Sequence, residues 1–203
     1  MIKVIDYKAG NAPSVLHAIT HLGYNASFAK HPKDLADATH IILPGVGSAS
    51  ATMESLKELD LISSLEDAVL TRKVMFLGIC IGLQVLFEAS EESEKDQDAA
   101  TDCLGWLKGQ VVKFNTDNIR VPQMGWNKVS FIKGSGLPNQ DDYFYFVNSY
   151  YAKPTDNSMI WGTAQYDSTF TAAICKNNIY ATQFHVEKSG RAGLELLDRF
   201  LNA

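Results

Sequence analysis

The sequence predicts an α/β fold: a central, mostly parallel sheet flanked by helices, with additional β-strands in the C-terminal half. Two observations carry this. Up to Leu83, short apolar runs alternate with helix-period segments, the pattern of βα units. From Leu107 onward the chain changes to strand-like runs joined by short polar turns. At 203 residues the chain is long enough for one domain with a full core, taken here as residues 1–203.

The elements follow in order. Ile2 to Ile5 is the first strand, and a helix begins near Pro13, a residue suited to a first helical position. Val15, Leu16, Ile19 and Leu22 form its apolar stripe, and Gly23 ends it. A strand over Ala26 to Ala29, a short helical stretch from Lys33 to Ala38 and a strand over Ile41 to Leu43 come next. Helical stretches near Ala51 to Leu59 and Leu61 to Leu70 precede an apolar strand from Val74 to Leu77, and Leu83 to Glu88 reads as the helix after it. Further strands are expected over Val111 to Phe114, Lys128 to Ile132, Tyr143 to Tyr151, Ile160 to Tyr166, Phe170 to Cys175 and Ile179 to Phe184. Arg191 to Leu201 is a closing helix with Leu194, Leu197 and Leu201 on one face. The acidic stretch from Glu88 to Asp102 lacks apolar anchors and reads as a solvated loop.

Composition excludes several classes. Apolar content of 46% is that of an ordinary globular protein, and a net charge of −5 argues against a general nucleic-acid binder. No apolar run reaches the length of a membrane span, and Met1 to Asp6 lacks a signal-peptide layout. Cys80, Cys103 and Cys175 are odd in number and show no metal-ligand spacing, so no metal and no cofactor is expected. A reducing cytoplasm is the expected compartment.

Three segments carry chemistry. In Gly78-Ile-Cys-Ile-Gly82 a cysteine stands between two glycines at a strand-to-helix turn, the nucleophile-elbow arrangement with sulfur in place of oxygen. The turn sets the Cys80 sulfur beside a helix amino end, where a thiolate is favoured. Taken alone, Cys80 reads more plainly as a buried structural cysteine. Far downstream, His185 ends a strand and Glu187 follows two positions later, on the same side of an extended chain. A thiol nucleophile needs a general base, and the base needs an orienting group; Cys80, His185 and Glu187 supply the three. The third segment, Pro44-Gly-Val-Gly47, follows an apolar strand and can present backbone N–H groups to an anion. With the N–H of Ile81, the Val46–Gly47 region would form an oxyanion hole; a plain turn is the simpler alternative.

These motifs, in this order, resemble the class I (triad) glutamine amidotransferases, whose fold is flavodoxin-like. Ile5-Asp-Tyr-Lys-Ala-Gly-Asn11, Leu104-Gly-Trp106, Pro122-Gln-Met-Gly-Trp-Asn127 and Phe146-Val-Asn-Ser-Tyr-Tyr151 further resemble the glutaminase subunits of imidazole glycerol phosphate synthase. The resemblance covers nearly the whole chain. It implies glutamine hydrolysis through a Cys80 acyl-enzyme, with His185 as acid and base and Glu187 orienting it. It implies glutamine contacts at Gly47, Gln84, Asn148, Ser149 and Tyr150. It implies a (β/α)8-barrel cyclase as partner in a heterodimer of histidine biosynthesis, with Asn11, Met124, Trp126 and Lys188 at or near the interface. The chain departs from that pattern at Val186, where the family has Pro. It also departs at Gln123 and Asn148, where the family has His, at Ala12-Pro13, which replaces Leu-Arg, and at Ile81, which replaces Leu. Two other readings stay open: a paralogous glutaminase feeding a different acceptor, such as a surface-sugar amidotransferase, and an inactive docking subunit.

Overall fold

Strands at the centre of the sheet are apolar at almost every position, because both of their faces are covered. In the computed structural model, which describes residues 1–8, 11–92, 100–115, 117, 119–132, 136–137 and 140–203, these are β1 (Ile2–Ile5), β3 (His40–Leu43) and β4 (Met75–Ile79), while β2 (Ala26–Ala29) is the edge strand beside β1 and buries only Ala29. Ile5, Ile41, Ile42, Leu43, Phe76, Leu77 and Ile79 are fully buried. The helices between them are α1 (Ala12–His21), α2 (Ala49–Glu58) and α3 (Ile62–Glu66), with single helical turns at Pro32–Leu35 and Asp67–Thr71. A one-turn α4 (Ile81–Gln84) follows β4.

The remaining strands are β5 (Ala89–Ser90), β6 (Thr101–Asp102), β7 (Gly109–Lys113), β8 (Gln123–Phe131), β9 (Asp142–Asn148), β10 (Tyr150–Pro154), β11 (Ile160–Tyr166), β12 (Ser168–Lys176) and β13 (Ile179–Thr182). α5 (Gly190–Leu201) closes the described chain. The strand order β2-β1-β3-β4-β13 is parallel throughout, and β12, β10 and β7 continue it antiparallel. β8, β9 and β11 form an antiparallel extension off β12. The expected mostly parallel centre with extra C-terminal strands is therefore present. Strand order reverses beside β1, and the carboxyl ends of β1, β3, β4 and β13 open onto one crevice, the usual ligand site of such a sheet.

Several expectations need correction. The helix expected over Leu83 to Glu88 is only the turn Ile81–Gln84. The carbonyls of Val85, Leu86 and Phe87 accept from Leu104, Leu107 and Gly105 instead, which draws the chain out of the helix. The strand expected over Tyr143 to Tyr151 breaks at Ser149, where the chain exchanges β8 for β7 as neighbour. The strand expected from Lys128 begins five residues earlier, at Gln123. The stretch expected as helix from Leu61 to Leu70 changes pitch at Asp67. On α1 the buried face is Ala12, Val15, Ala18 and Ile19, with Leu16 and Leu22 half-buried; on α5, Leu196 and Phe200 join Leu197 and Leu201, with Leu194 half-buried.

The acidic stretch is not all solvated loop. Its ends pair as β5 and β6, Ser90 is fully buried, and Glu88 pairs with Lys108 at 2.7 Å; residues 93–99 lie outside the described residues. Among the described residues, no helix is long and apolar enough to cross a membrane.

Candidate active site

The elbow is built by close packing. Cys80 itself takes the positive φ, at φ 56° and ψ −105°, outside the regions a side-chain-bearing residue enters at low cost. Its N–H donates to the Thr182 carbonyl at 2.7 Å, and its own carbonyl accepts from Leu83 and Gln84 at 3.0 and 3.2 Å. The flanking glycines serve proximity: a Cβ at Gly82 would run into the Leu43 carbonyl, and one at Gly78 into the Gly82 carbonyl. The following helix is a single turn, so Cys80 precedes the open N–H groups of its first residues rather than a long dipole.

His185 follows β13, the parallel neighbour of β4, so strand pairing alone brings base and nucleophile to one end of the sheet. A helical turn over Val186–Lys188 then folds Glu187 back, and its Oε1 meets His185 Nδ1 at 2.8 Å. The pair thus forms through a turn and not through the extended spacing expected from the sequence. With Nδ1 engaged, Nε2 is left for the sulfur. Both side chains are almost wholly buried, at 2% and 0% exposure. Burial disfavours the imidazolium, but the charge of Cys80, a hydrogen bond with it, and Glu187 outweigh that and raise His185 to about 10. Burial likewise opposes the Glu187 carboxylate, yet its bond to His185, the imidazolium charge and Asn11 hold it below the ordinary range. The Asn11 amide donates to the same Oε1 at 3.3 Å.

A single carbonyl orients Gln84 and Asn148. The Tyr150 oxygen accepts from Gln84 Nε2 at 3.2 Å and from Asn148 Nδ2 at 2.9 Å. A backbone carbonyl cannot donate, so both amides must turn their nitrogens to it. Gln84 Oε1 and Asn148 Oδ1 are left as buried acceptors without partners. Both residues line a cavity of about 250 Å³ together with Val46, Gly47, Cys80, Ile81, Glu92, Ser149, Tyr150, His185 and Lys188.

The Pro44–Gly47 loop forms the opposite wall. Tyr7, at the end of β1, pins it by donating to the Pro44 carbonyl at 2.9 Å. Burial pushes the Tyr7 phenol up to about 12, with Thr52 opposing and the Cys80 charge adding. Gly47 sits at φ 98°, open only to glycine without strain, although a Cβ there would touch nothing within 4 Å. Glu92, from the acidic stretch, accepts from the Ala49 N–H at 2.9 Å and presents a carboxylate to the cavity.

The site thus gathers every residue expected for the triad, the oxyanion hole and substrate contact. Of the residues expected at a partner surface, Met124 and Trp126 are 67% and 57% exposed on alternate positions of β8, and Lys188 is exposed at the cavity rim. Asn11 is only 3% exposed, and its side-chain amide bonds Glu187. The two departures Gln123 and Asn148 are direct partners across β8 and β9. Sequence reasoning missed Gln183, Tyr7 and Glu92. Gln183 adjoins the Phe184-His185 motif and Tyr7 lies inside the Ile5–Asn11 phrase, whereas Glu92 carried no local signal.

A family profile described as "Glutamine amidotransferase class-I" matches residues 3–203. The chain is 44% identical over 206 residues to "Imidazole glycerol phosphate synthase subunit HisH 1" of Campylobacter jejuni, with 99% of each chain covered. It is 41% identical over 204 residues to "Imidazole glycerol phosphate synthase subunit HisH" of Dehalococcoides mccartyi, with 98% of this chain and 96% of that one covered. Among solved structures, "Crystal structure of glutamine amidotransferase" superposes with a TM-score of 0.76 at 17% identity, covering 99% of this chain and 97% of that one. PurLQS from Thermotoga maritima superposes at 0.75 and 16% identity, with the same coverage. These two structures bear on the fold, and it is the fold described above.

Proposed function

Because the chain belongs to the class-I glutamine amidotransferase family, we propose that it is the glutaminase subunit of an imidazole glycerol phosphate synthase. The observation that carries the chemistry is the buried His185–Glu187 pair, 2.8 Å apart, acting on a cysteine held in an elbow at the same cavity.

The reaction runs by acyl transfer. Glutamine enters with its α-ammonium toward the Glu92 carboxylate and its donor groups toward Gln84 Oε1 and Asn148 Oδ1. The Cys80 sulfur attacks the carboxamide carbon, and its proton resides on His185. The oxyanion forms against N–H groups of Ile81 and the Val46–Gly47 region. His185 gives the proton to the leaving nitrogen, ammonia departs, and a glutamyl thioester remains. His185 then takes a proton from water, hydroxide attacks the thioester, and glutamate leaves as the thiol is restored. Glu187, steadied by Asn11, keeps the imidazole oriented and offsets its positive charge.

Free ammonia is protonated in water and lost, so the subunit would deliver it to a (β/α)8-barrel cyclase. The outward face of β8 at Met124 and Trp126 supports that docking, since large apolar side chains left exposed in one strand mark an interaction surface. A reducing cytoplasm would keep Cys80 competent.

The test is reconstitution with such a cyclase. Cys80→Ala should abolish glutamine-dependent turnover while ammonium salts still drive the cyclase reaction. Near-normal glutaminase activity in that variant sinks the reading.

A further inference from the structure

We propose that Gln183 is a further catalytic group, which donates its side-chain N–H to the Cys80 sulfur and is itself anchored by Gln84. The proposal rests on the glutaminase reading of the site. Gln183 Nε2 lies 3.7 Å from Cys80 Sγ, and Gln84 Nε2 lies 3.1 Å from Gln183 Oε1. The direction of this chain is fixed from outside it. The Tyr150 carbonyl can only accept, so the near end of Gln84 is its nitrogen. That nitrogen in turn requires the oxygen of Gln183, and the Gln183 nitrogen is then the atom turned to sulfur. An amide flip at either glutamine would set donor against donor or acceptor against acceptor.

Burial makes the arrangement obligatory. Gln183 is 0% exposed and Gln84 is 2% exposed, so each amide must find its partners inside the protein. The Gln183 N–H of the backbone is held as well, donating to the Ala172 carbonyl at 2.8 Å. Around the sulfur, besides the His185 imidazole, two uncharged neighbours act in opposite senses. The Val147 carbonyl, 3.9 Å away, accepts from a thiol and repels a thiolate. The Gln183 amide donates and favours the thiolate. Gln84 is a positioning residue here: its nitrogen organises Gln183 while its free oxygen faces the substrate cavity. Substrate recognition and sulfur orientation thus share one side chain.

The test is alkylation of Cys80 by iodoacetamide across the pH range, followed at the Cys80 peptide by mass spectrometry, in wild type, Gln183→Met and Gln183→Glu. Loss of a hydrogen bond to a charged atom should raise the midpoint of alkylation by about one pH unit in Gln183→Met. Gln183→Glu, which keeps the acceptor for Gln84 but sets a carboxylate beside the sulfur, should raise it further. In both, kcat for glutamine should fall by roughly tenfold or more, with KM little changed. A merely structural residue would alter thermal stability and leave the alkylation midpoint in place. A wild-type midpoint in whichever variant folds overturns the proposal. Because alkylation needs no glutamine, shifted midpoints in a chain that never hydrolyses glutamine would defeat the glutaminase reading and leave the Gln183–Cys80 bond standing.

Discussion

Asn11 donates its side-chain amide to Glu187 Oε1 across 3.3 Å, sharing that oxygen with His185. The residue that precedes α1 therefore steadies a carboxylate that lies 176 positions later in the chain. Asn11→Ala should cost about 1.5–3 kcal/mol, the usual worth of a hydrogen bond to a charged group. Part of that loss should appear in kcat, because Glu187 then holds the imidazole with one restraint fewer. Steady-state kinetics beside urea denaturation would divide the two; unchanged kcat and stability would show that Asn11 does not support Glu187.

The His185–Glu187 pair predicts a plateau in stability against pH. His185 is raised above its ordinary 6.5, to about 10, so its contribution is full below pH 6.5 and is lost as pH rises through 10. Glu187 is lowered from 4.5, so its contribution is present above 4.5 and disappears as acid protonates it. The stability gap between wild type and Glu187→Gln should be widest between these limits and narrow on both sides. Denaturation curves collected across that range check it, and a gap that keeps growing toward alkaline pH would contradict it.

Val186→Pro should be tolerated. His185 has φ −87° and ψ 103°, the extended conformation a residue before proline prefers, and Val186 opens a helical turn, where proline fits. Stability should be unchanged or higher by about 0.4–1 kcal/mol, through a stiffer unfolded chain. The triad forms without the proline, so kcat should stay near wild type. A melting curve and a glutaminase assay decide it.

Gly47 should be the sensitive point of the oxyanion loop. Its φ of 98° makes Gly47→Ala a backbone perturbation with no crowding, since a Cβ there meets nothing within 4 Å. A displaced N–H should lower kcat by roughly 10- to 100-fold with less effect on KM. Glycines let a peptide plane turn its N–H toward or away from the oxyanion, so the Pro44–Gly47 loop would also act as a switch: the isolated chain should turn over slowly and the complex with a ligand-loaded cyclase faster, again mainly in kcat. Full activity of the isolated chain would end the switch and leave the triad intact.

The site was legible where local covalent pattern dictates local geometry. Gly78 and Gly82 announce an elbow because nothing larger than hydrogen fits against the carbonyls of Gly82 and Leu43. The parallel centre was legible because β1, β3 and β4 are short and, apart from Lys3 and His40, apolar. What stayed hidden depends on tertiary partners. The short α4 ends where carbonyls of residues 85–87 are claimed by residues 104–107, which no helix period reveals. Gln183 looked like a strand residue because its partners, Cys80 and Gln84, stand a hundred positions away. Asn11 was assigned to the partner side by family resemblance alone, and its bond to Glu187, 176 positions away, has no local signature.

The pairing of β4 with β13 sets the nucleophile near the middle of the chain and its base near the end. During synthesis the elbow segment emerges long before residue 185 is made. A nascent or truncated chain therefore carries the cysteine without the imidazole that activates it. On the proposed roles, reactivity would arrive only when β13 pairs with β4, so an incomplete product would not hydrolyse glutamine.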